Sequence, residues 1–291
     1  MTTLILTAPP RLAPLLVRGA ALSPFKRRVG ADAPLPATRL VLPAARTDPA
    51  RLAAYATVCG FPTTGPLPLT YPHVLGFPLA LRLMADRAFP LPLPGLVHTR
   101  IDIARHGRAL LPGDRPELAV HAEALTPHRR GTEVVVVTEA RLDGRLVWES
   151  RSSYLARHRT AYDGPRDSAP DSGPLPPVAE WRLPGDLGRR YGAASGDRNP
   201  IHLHPLTARL FGFPCAIAHG MWTFARCLAE AQRTTGPAAA ARAEFRAPVL
   251  LPASVTYAAR GTADSTSFEL RGGCDRLHLT GHVATAWRGE R

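Results

Sequence analysis

The stretch that decides the fold runs from Tyr191 to Ala225 and reads YGAASGDRNPIHLHPLTARLFGFPCAIAHGMWTFA. Pro200 fixes its own φ and keeps the preceding residue out of the helical region, which predicts Asn199 as the N-cap of a short helix. Asp197 then lies in the turn before that helix and His202 in its first turn. We expect both side chains to face one crevice, about a water molecule apart, with Gly196 permitting the tight turn.

The same residues have simpler interpretations, and the spacing alone leaves them open. Asp197 and Asn199 are typical helix caps, with His202 an ordinary, partly buried histidine. His202 and His204 have the spacing of a metal-binding pair, but no third ligand lies at a suitable distance along the chain. Pro205 follows His204, which predicts that this second histidine lies on the exposed side of the turn.

A second feature, AHGM at Ala218–Met221, favours the catalytic interpretation. It opens an apolar stretch with helical spacing, which Gly236-Pro237 ends. Glycine inside a helix costs about 1 kcal/mol relative to alanine. Gly220 leaves a backbone N–H unobstructed at the positive end of the helix dipole, where an oxyanion can approach. An acid, a base and such an amide suit proton transfer beside a carbonyl, although Gly220 alone is also compatible with close helix packing.

The rest of the chain predicts antiparallel strands. The stretch Gly131–Arg157 contains two β-rich runs joined by Asp143-Gly144, the strongest hairpin signal in the sequence. Beyond the predicted helix, alternating patterns predict three strands, within residues 243–261, 265–273 and 276–288. The run from Thr160 to Pro177 is rich in Pro, Gly, Ser and Asp and predicts a linker.

The first half repeats the second in faint form. YATVCG at Tyr55–Gly60 parallels YGAASG at Tyr191–Gly196, and residues 71–84 parallel residues 215–228. We therefore predict an α+β chain in which a long central helix wrapped by an antiparallel sheet occurs twice. The expected domains are residues 1–159 and 178–291, with the linker at 160–177. Phe61 stands where the second half has Asp197, and no histidine follows it, so only the second half is expected to carry chemistry.

Composition narrows the class of protein. The chain has 291 residues, 45% of them hydrophobic, and a formal charge of +13, but Lys26 is its one lysine, so the charge also fits biased codon usage. The sequence has no recognition motif for nucleic acid and no apolar run long enough to span a membrane. The four cysteines have no metal-ligand spacing, and prolines interrupt the apolar N-terminus, so we expect no signal peptide and a cytoplasmic location.

The quoted stretch resembles the signature of the MaoC-like, (R)-specific enoyl-thioester hydratases and 3-hydroxyacyl-thioester dehydratases. It combines Ser-Gly-Asp-x-Asn-Pro-Ile-His with a downstream Gly-Phe and Ile-Ala-His-Gly-Met, and the first half is similar, more loosely, to the degenerate domain of double hot dog members. Pro252-Ala253 stands where the family usually has Gly-Asp, which affects the turn before the next strand. The resemblance implies a double hot dog fold forming a pseudo-dimer. The first domain is expected to accommodate the acyl chain, since its run Tyr71–Val97 is apolar enough to line a tunnel, although ordinary core is an equally good interpretation of that run.

The resemblance also implies an activity and a site. The activity is the reversible conversion of a (3R)-3-hydroxyacyl thioester into a trans-2-enoyl thioester and water. Asp197 and His202 match the catalytic pair and Gly220 the oxyanion-binding amide, while the positions that shape the site or bind substrate are Ser195, Gly196, Asn199, His219 and Met221. The chain is expected to need no metal or redox cofactor. Its expected partners are acyl-coenzyme A or acyl carrier protein thioesters, with further pairing into a homodimer possible.

Two other functions remain open at this stage. Hot dog thioesterases hydrolyse the same substrates and also use a carboxylate and an oxyanion-binding amide. A non-catalytic subunit that binds acyl thioesters would have the fold without the chemistry. The Asp-x-Asn-Pro-x-His spacing favours hydration and dehydration over both.

Overall fold

The computed structural model describes residues 1–23, 26, 30–164 and 173–286. Within these ranges the helices are α1 (Leu12–Leu22), α2 (Pro49–Cys59), α3 (Tyr71–Met84), α4 (Leu187–Ser195), α5 (Pro200–Leu203), α6 (Pro205–Arg209) and α7 (Gly220–Thr235). The strands are β1 (Thr2–Ile5), β2 (Thr38–Leu42), β3 (Val97–Arg105), β4 (Glu117–His128), β5 (Gly131–Leu142), β6 (Arg145–Arg157), β7 (Pro177–Leu183), β8 (Ala240–Phe245), β9 (Ala253–Gly261), β10 (Ser265–Arg271) and β11 (Leu277–Ala284).

The chain forms two compact units that interleave along the sequence. Unit 1 comprises Met1–Arg46, Pro72–Ile101 and Asp114–Asp171, and unit 2 comprises Thr47–Tyr71, Asp102–Gly113 and Ser172–Arg291. Helix α2 therefore belongs to the same unit as helix α7, although it lies in the first half of the sequence. The boundaries proposed from the repeat, at residues 159 and 178, stay a prediction, and residues 165–172 of the proposed linker lie outside the described ranges.

Unit 1 places helix α3 against an antiparallel sheet. Strand β4 lies between β2 and β5, and β5 pairs in turn with β6. Helix and sheet approach closely at Gly76, where an added Cβ would lie 2.5 Å from the Thr138 methyl carbon on β5. The hairpin between β5 and β6 turns at Asp143 and Gly144, which both have positive φ, as the Asp-Gly signal predicts.

Unit 2 places helix α7 against the antiparallel strands β8, β11, β10, β9 and β7, in that order across the sheet. The predicted helix is confirmed: it begins at Gly220 and ends at Gly236, which has a positive φ. Its inner face buries Phe224, Cys227 and Leu228 completely. Burial of such apolar side chains supplies the main stabilisation of this helix and sheet.

The number of strands after α7 differs from the prediction. The stretch 243–261, predicted as one strand, divides between the end of β8 and β9. Pro248 and Pro252 lack the N–H that a continuous ladder needs. The chain between the two strands pairs instead with the segment before α7: the Ala218 N–H donates to the Val249 oxygen, and the Leu251 N–H to the Ala216 oxygen. This pairing holds the approach to Gly220 in a fixed position.

None of the described helices combines the length and the apolar character needed to cross a membrane.

Candidate active site

A glycine turn at the end of helix α4 positions the predicted acid. Gly196 caps the helix in the left-handed conformation, with φ of 86°, and its N–H donates to the Gly192 oxygen. The Ser195 hydroxyl donates to the Tyr191 oxygen at 2.9 Å and accepts from the Asp197 N–H at 3.2 Å. Ser195 and Gly196 thus shape the turn from which Asp197 projects.

Asn199 caps a helix, as the simpler interpretation held, whereas Asp197 stabilises the turn before that helix. One carboxylate oxygen of Asp197 accepts from the Asn199 N–H at 3.1 Å, and the Asn199 side chain accepts from the Ile201 N–H at 3.4 Å. Asn199 is the N-cap of α5, with Pro200 as its first residue. The turn contact uses only one oxygen of the Asp197 carboxylate, so this structural role and an acid–base role are compatible.

His202 is buried, and its ring orientation is fixed by a backbone contact. Its Nδ1 lies 2.8 Å from the carbonyl oxygen of Ile217 and must be the donor there. Neutral imidazole then carries its lone pair on Nε2, the nitrogen available to take a proton. Burial lowers the pKa of His202, although Asp197 and the Ile217 oxygen oppose that shift.

His219 lies directly against His202, with ring centroids 3.7 Å apart and planes 24° apart. Its Nε2 donates to the backbone oxygen of Asp197 at 3.0 Å and lies 3.9 Å from the carboxylate. Its Nδ1 is buried with no hydrogen-bond partner among the described residues. Burial, reinforced by neighbouring His202, holds the pKa of His219 well below its ordinary value, so the ring is neutral.

Asp197, His202 and His219 form one cluster, in which one potential ligand atom from each residue lies within 4.8 Å of the others. Such a cluster can hold either a water molecule or a metal ion, since these are the residue types that zinc accepts. His204 does not join it: this residue is exposed, and its Nδ1 accepts from the Leu206 N–H at the start of α6. The structure therefore does not place His202 and His204 as a metal-binding pair.

Gly220 is the first residue of α7, with His219 as the N-cap. The first N–H groups of a helix have no partner within it and carry a partial positive charge, so they can bind an oxyanion. A Cβ at Gly220 would lie 3.1 Å from the ring of Phe245, so this position also has little room for a side chain. Met221 follows in the first turn and is half-buried.

Two further glycines support the site, and the sequence interpretation missed them. A Cβ at Gly188 would lie 1.9 Å from the backbone oxygen of His202, and one at Gly192 would lie 2.8 Å from that of Asp197. Helix α4 thus packs directly against the backbone of both proposed catalytic residues. The spacing of Gly188, Gly192 and Gly196, four residues apart along one helix face, is the signal that could have revealed this contact.

The sequence interpretation also missed the support that α2 gives to the site. The Tyr55 ring lies 5.9 Å from that of Tyr191, whose own ring lies 4.8 Å from that of His219. The Trp222 indole N–H on α7 donates to the Val58 oxygen at 2.8 Å. Complete burial raises the pKa of Tyr191 far above its ordinary value, so its hydroxyl keeps its proton.

Comparisons with known proteins agree on one family. Residues 180–272 match the model of the MaoC-like domain. The chain is 39% identical over 217 residues to 3-hydroxyacyl-thioester dehydratase X of Mycobacterium tuberculosis, covering 74% of this chain and 77% of that protein. It also resembles the crystal structure of HtdX from M. tuberculosis with a TM-score of 0.75 and 35% identity, over 84% of this chain and 99% of the other.

A more distant structure is similar to this chain in fold alone. The MaoC-like dehydratase of Phytophthora capsici superimposes with a TM-score of 0.72 at 17% identity, covering 89% of this chain and 98% of the other. These likenesses confirm the predicted α+β, double hot dog class. From its sequence, its fold and these relatives together, the chain belongs to the MaoC-like dehydratase family.

Proposed function

We propose that this protein interconverts trans-2-enoyl thioesters and (3R)-3-hydroxyacyl thioesters by reversible addition and removal of water. The observation that carries the proposal is the cluster of Asp197, His202 and His219, which brings a carboxylate and a neutral imidazole within 4.8 Å of each other. The name of the relative from Mycobacterium tuberculosis, a 3-hydroxyacyl-thioester dehydratase, supports the same reaction class.

Dehydration removes a proton from the carbon next to the thioester carbonyl and a hydroxyl group from the following carbon. The Asp197–His202 pair takes the first proton and supplies one to the departing hydroxyl, which leaves as water. In the reverse direction the pair removes a proton from a bound water molecule as its oxygen adds to the double bond, and it delivers a proton to the carbon next to the carbonyl. The two groups titrate together, so the proton transfers belong to the pair.

Negative charge develops on the thioester oxygen when the carbon-bound proton leaves. The Gly220 N–H, at the positive end of helix α7, stabilises that oxygen. His219 serves as a positioning residue: its neutral ring donates to the Asp197 backbone and stacks on His202. The chemistry described uses side chains and one backbone amide, and we propose that it proceeds without a metal or redox cofactor.

The acyl carrier and the acyl chain belong to the proposal as well. The substrate is carried as a thioester of coenzyme A or of an acyl carrier protein, and the first half of the chain accommodates the acyl tail without chemistry of its own. A cytoplasmic location and further pairing into a homodimer remain predictions.

A direct assay tests the reaction. Purified protein is mixed with crotonyl-coenzyme A, the conjugated enoyl absorbance is followed, and the stereochemistry of the hydroxyacyl product is determined by chiral chromatography. Loss of absorbance with formation of the (3R) product supports the proposal. Release of free thiol without hydration would instead assign the protein to the thioesterases, and binding without turnover would make it a non-catalytic subunit.

Substitution of Asp197 and His202 tests their part in the reaction. Asp197→Asn and His202→Ala should each lower turnover about a thousandfold, and the double variant should be little worse, because the two residues act as one unit. His204→Ala is the matched control, since this exposed histidine lies just beyond α5 and should leave turnover near the wild-type value. Near-normal hydratase activity in either single variant would remove that residue from the mechanism.

A further inference from the structure

The segment that follows His202 exposes three large apolar side chains. Leu206, Leu210 and Phe211 keep 63%, 83% and 47% of their surface accessible, and we call these three residues the apolar patch. Leu206 and Leu210 are four residues apart at helix α6, which places them on the same side. An apolar cluster of this kind on a protein surface marks a contact with another molecule more often than a scattered single residue does.

The patch is held by an ordered backbone. The Thr207 hydroxyl donates to the Pro200 oxygen at 2.6 Å, and Ala208 on the opposite side of α6 is completely buried. The turn beyond the helix is closed by the Phe211 N–H, which donates to the Ala208 oxygen, and by Gly212 with φ of 83°. The inner side of the segment therefore attaches to α5, the helix that carries His202, while the outer side presents the patch to solvent.

Along the chain on either side of the patch, the exposed charged residues are arginines. Between Leu187 and Ala229 the sequence has a single acidic residue, Asp197, which belongs to the catalytic cluster. The same stretch exposes four arginines: Arg189, Arg190, Arg198 and Arg209. Arg189 donates to the Leu203 oxygen at 3.2 Å, which places this cation beside the junction of α5 and α6. An apolar patch accompanied by exposed arginines complements a partner whose apolar side chains are surrounded by carboxylates.

We propose that the apolar patch and its arginines form the docking surface for an acidic acyl carrier protein, which delivers the thioester to the site on a phosphopantetheine arm. This inference rests on the proposed function. Both free coenzyme A and a carrier protein bring phosphate to the arginines, but only a protein partner buries several large aliphatic side chains at once. Since α6 continues directly from the helix of His202, a partner docked here holds its arm close to the catalytic cluster.

The test compares two carriers of the same acyl group. Initial rates are measured with crotonyl thioesters of a bacterial acyl carrier protein and of free pantetheine, for the wild type and for the double variant Leu206→Ser/Leu210→Ser. Loss of two buried contacts should lower kcat/KM for the carrier-protein substrate about tenfold or more, mainly through KM. The rate with crotonyl-pantetheine should stay within about twofold, because that substrate lacks the protein partner.

A matched control replaces an exposed apolar residue outside the patch. Val178 on β7 has 59% of its surface accessible, and Val178→Ser should leave both substrates unaffected. Arg209→Glu should raise KM for the carrier-protein substrate most at low salt and make that KM less sensitive to added salt, because the screened attraction is lost. Arg182→Glu on β7 should leave KM near the wild-type value.

The alternative occupants give different results. Equal kcat/KM of wild type and double variant on the carrier-protein substrate overturns the docking surface, while turnover of crotonyl-pantetheine still supports the proposed reaction. Inactivity on every thioester would refute the reaction itself. If the double variant shows no selective loss on the carrier protein but no longer binds anionic phospholipid vesicles that the wild type binds, the patch contacts a membrane. If it shows no selective loss but is monomeric where the wild type is oligomeric, the patch contacts a second copy of the chain.

Discussion

Two stacked histidines in the candidate site have different tautomers, because different ring nitrogens contact the backbone. His202 donates from Nδ1 to Ile217, whereas His219 donates from Nε2 to Asp197. The first contact leaves Nε2 able to accept a proton, and the second ties the ring to the neighbouring acid. The sequence motif identified both residues, but their tautomers depend on carbonyl groups 15 and 22 residues away, which spacing along the chain does not reveal.

The role of Gly220 can be separated from its small size. Gly220→Pro removes the N–H, and the preceding His219, with φ of −65° and ψ of 133°, already has the conformation that proline favours before it. We expect a folded variant with kcat lowered about a hundredfold or more, as on losing an oxyanion donor. Steady-state kinetics and thermal unfolding together measure the two effects.

Gly220→Ala is the matched control, because it adds the same Cβ beside Phe245 but keeps the N–H. The alanine variant should retain most of its activity once the ring has moved by a few tenths of an ångström. If both variants lose activity equally, Gly220 is needed for space, and the amide has no special part in the reaction.

Buried neutral histidines make stability depend on pH. Burial lowers the pKa of His73 to about 4, and the pKa values of His202 and His219 are also lowered. The unfolded chain binds these protons near the ordinary pKa of 6.5, while the folded chain does not, so acid favours unfolding. The free energy of unfolding should keep its full value above pH 6.5. It should fall as the pH drops toward 4, by about 1.4 kcal/mol per pH unit for each such histidine.

Urea unfolding at several pH values measures this dependence. His73→Gln removes one such group from unit 1, away from the proposed dyad in sequence. The free energy of unfolding should then depend less steeply on pH between 6.5 and 4, by up to the contribution of one proton. Ser152→Ala changes a buried polar side chain of the same unit without removing a titratable group, so this matched control should keep the wild-type slope. Equal slopes in all three proteins would show that His73 is not held neutral in the folded state.

At the level of elements, helix α4 fixes the site by close backbone contact. Its glycines bring the helix against the carbonyl groups of His202 and Asp197, so the helix and the loop that carries the proposed catalytic pair form one packed layer. The sequence predicted α5 from Asn199-Pro200 and α7 from its apolar spacing, since these signals are local. It did not predict the division between β8 and β9, because the backbone of residues 249–251 pairs with a segment 30 or more residues earlier, which no local pattern records.

Gly188→Ala tests the contact between α4 and α5. Alanine favours a helix by up to about 1 kcal/mol over glycine, yet its Cβ would lie 1.9 Å from the His202 oxygen, a distance that forces the two helices apart. We expect lower thermal stability together with a loss of turnover well beyond tenfold, because a small displacement of a catalytic group has large effects on rate. Circular dichroism melting and the crotonyl thioester assay provide the measurements.

Gly113→Ala is the control, since a Cβ at this exposed glycine meets no atom within 4 Å. That variant should melt and turn over like the wild type. Full activity in Gly188→Ala would mean that the packing of α4 does not position His202.

For the molecule as a whole, the faint repeat predicted two units of a central helix wrapped by an antiparallel sheet, but not which residues build each of them. The parallel of YATVCG and YGAASG is real in structure: α2 and α4 both end at a left-handed glycine, and Tyr55 and Tyr191 have adjacent rings. The repeat did not reveal that α2 joins the unit of its counterpart. That association depends on burial, with Tyr55 and Cys59 fully enclosed, and burial of this kind arises only once distant segments meet.

This interleaving predicts the behaviour of fragments. Residues 173–291 expressed alone lack α2, so they would expose the surface that Tyr55 covers and would leave the Trp222 N–H without its carbonyl partner. Each large apolar side chain withdrawn from burial costs about 1.5–3 kcal/mol, a large part of the 5–15 kcal/mol that stabilises a typical domain. The fragment should therefore be insoluble, or folded with little activity. Co-expression with residues 1–164 should restore soluble, active protein, because the missing helix is then supplied without the linker. Solubility, circular dichroism and the enoyl thioester assay are measured on both preparations. A fragment 173–291 that is folded and fully active alone would show that α2 is dispensable for the site.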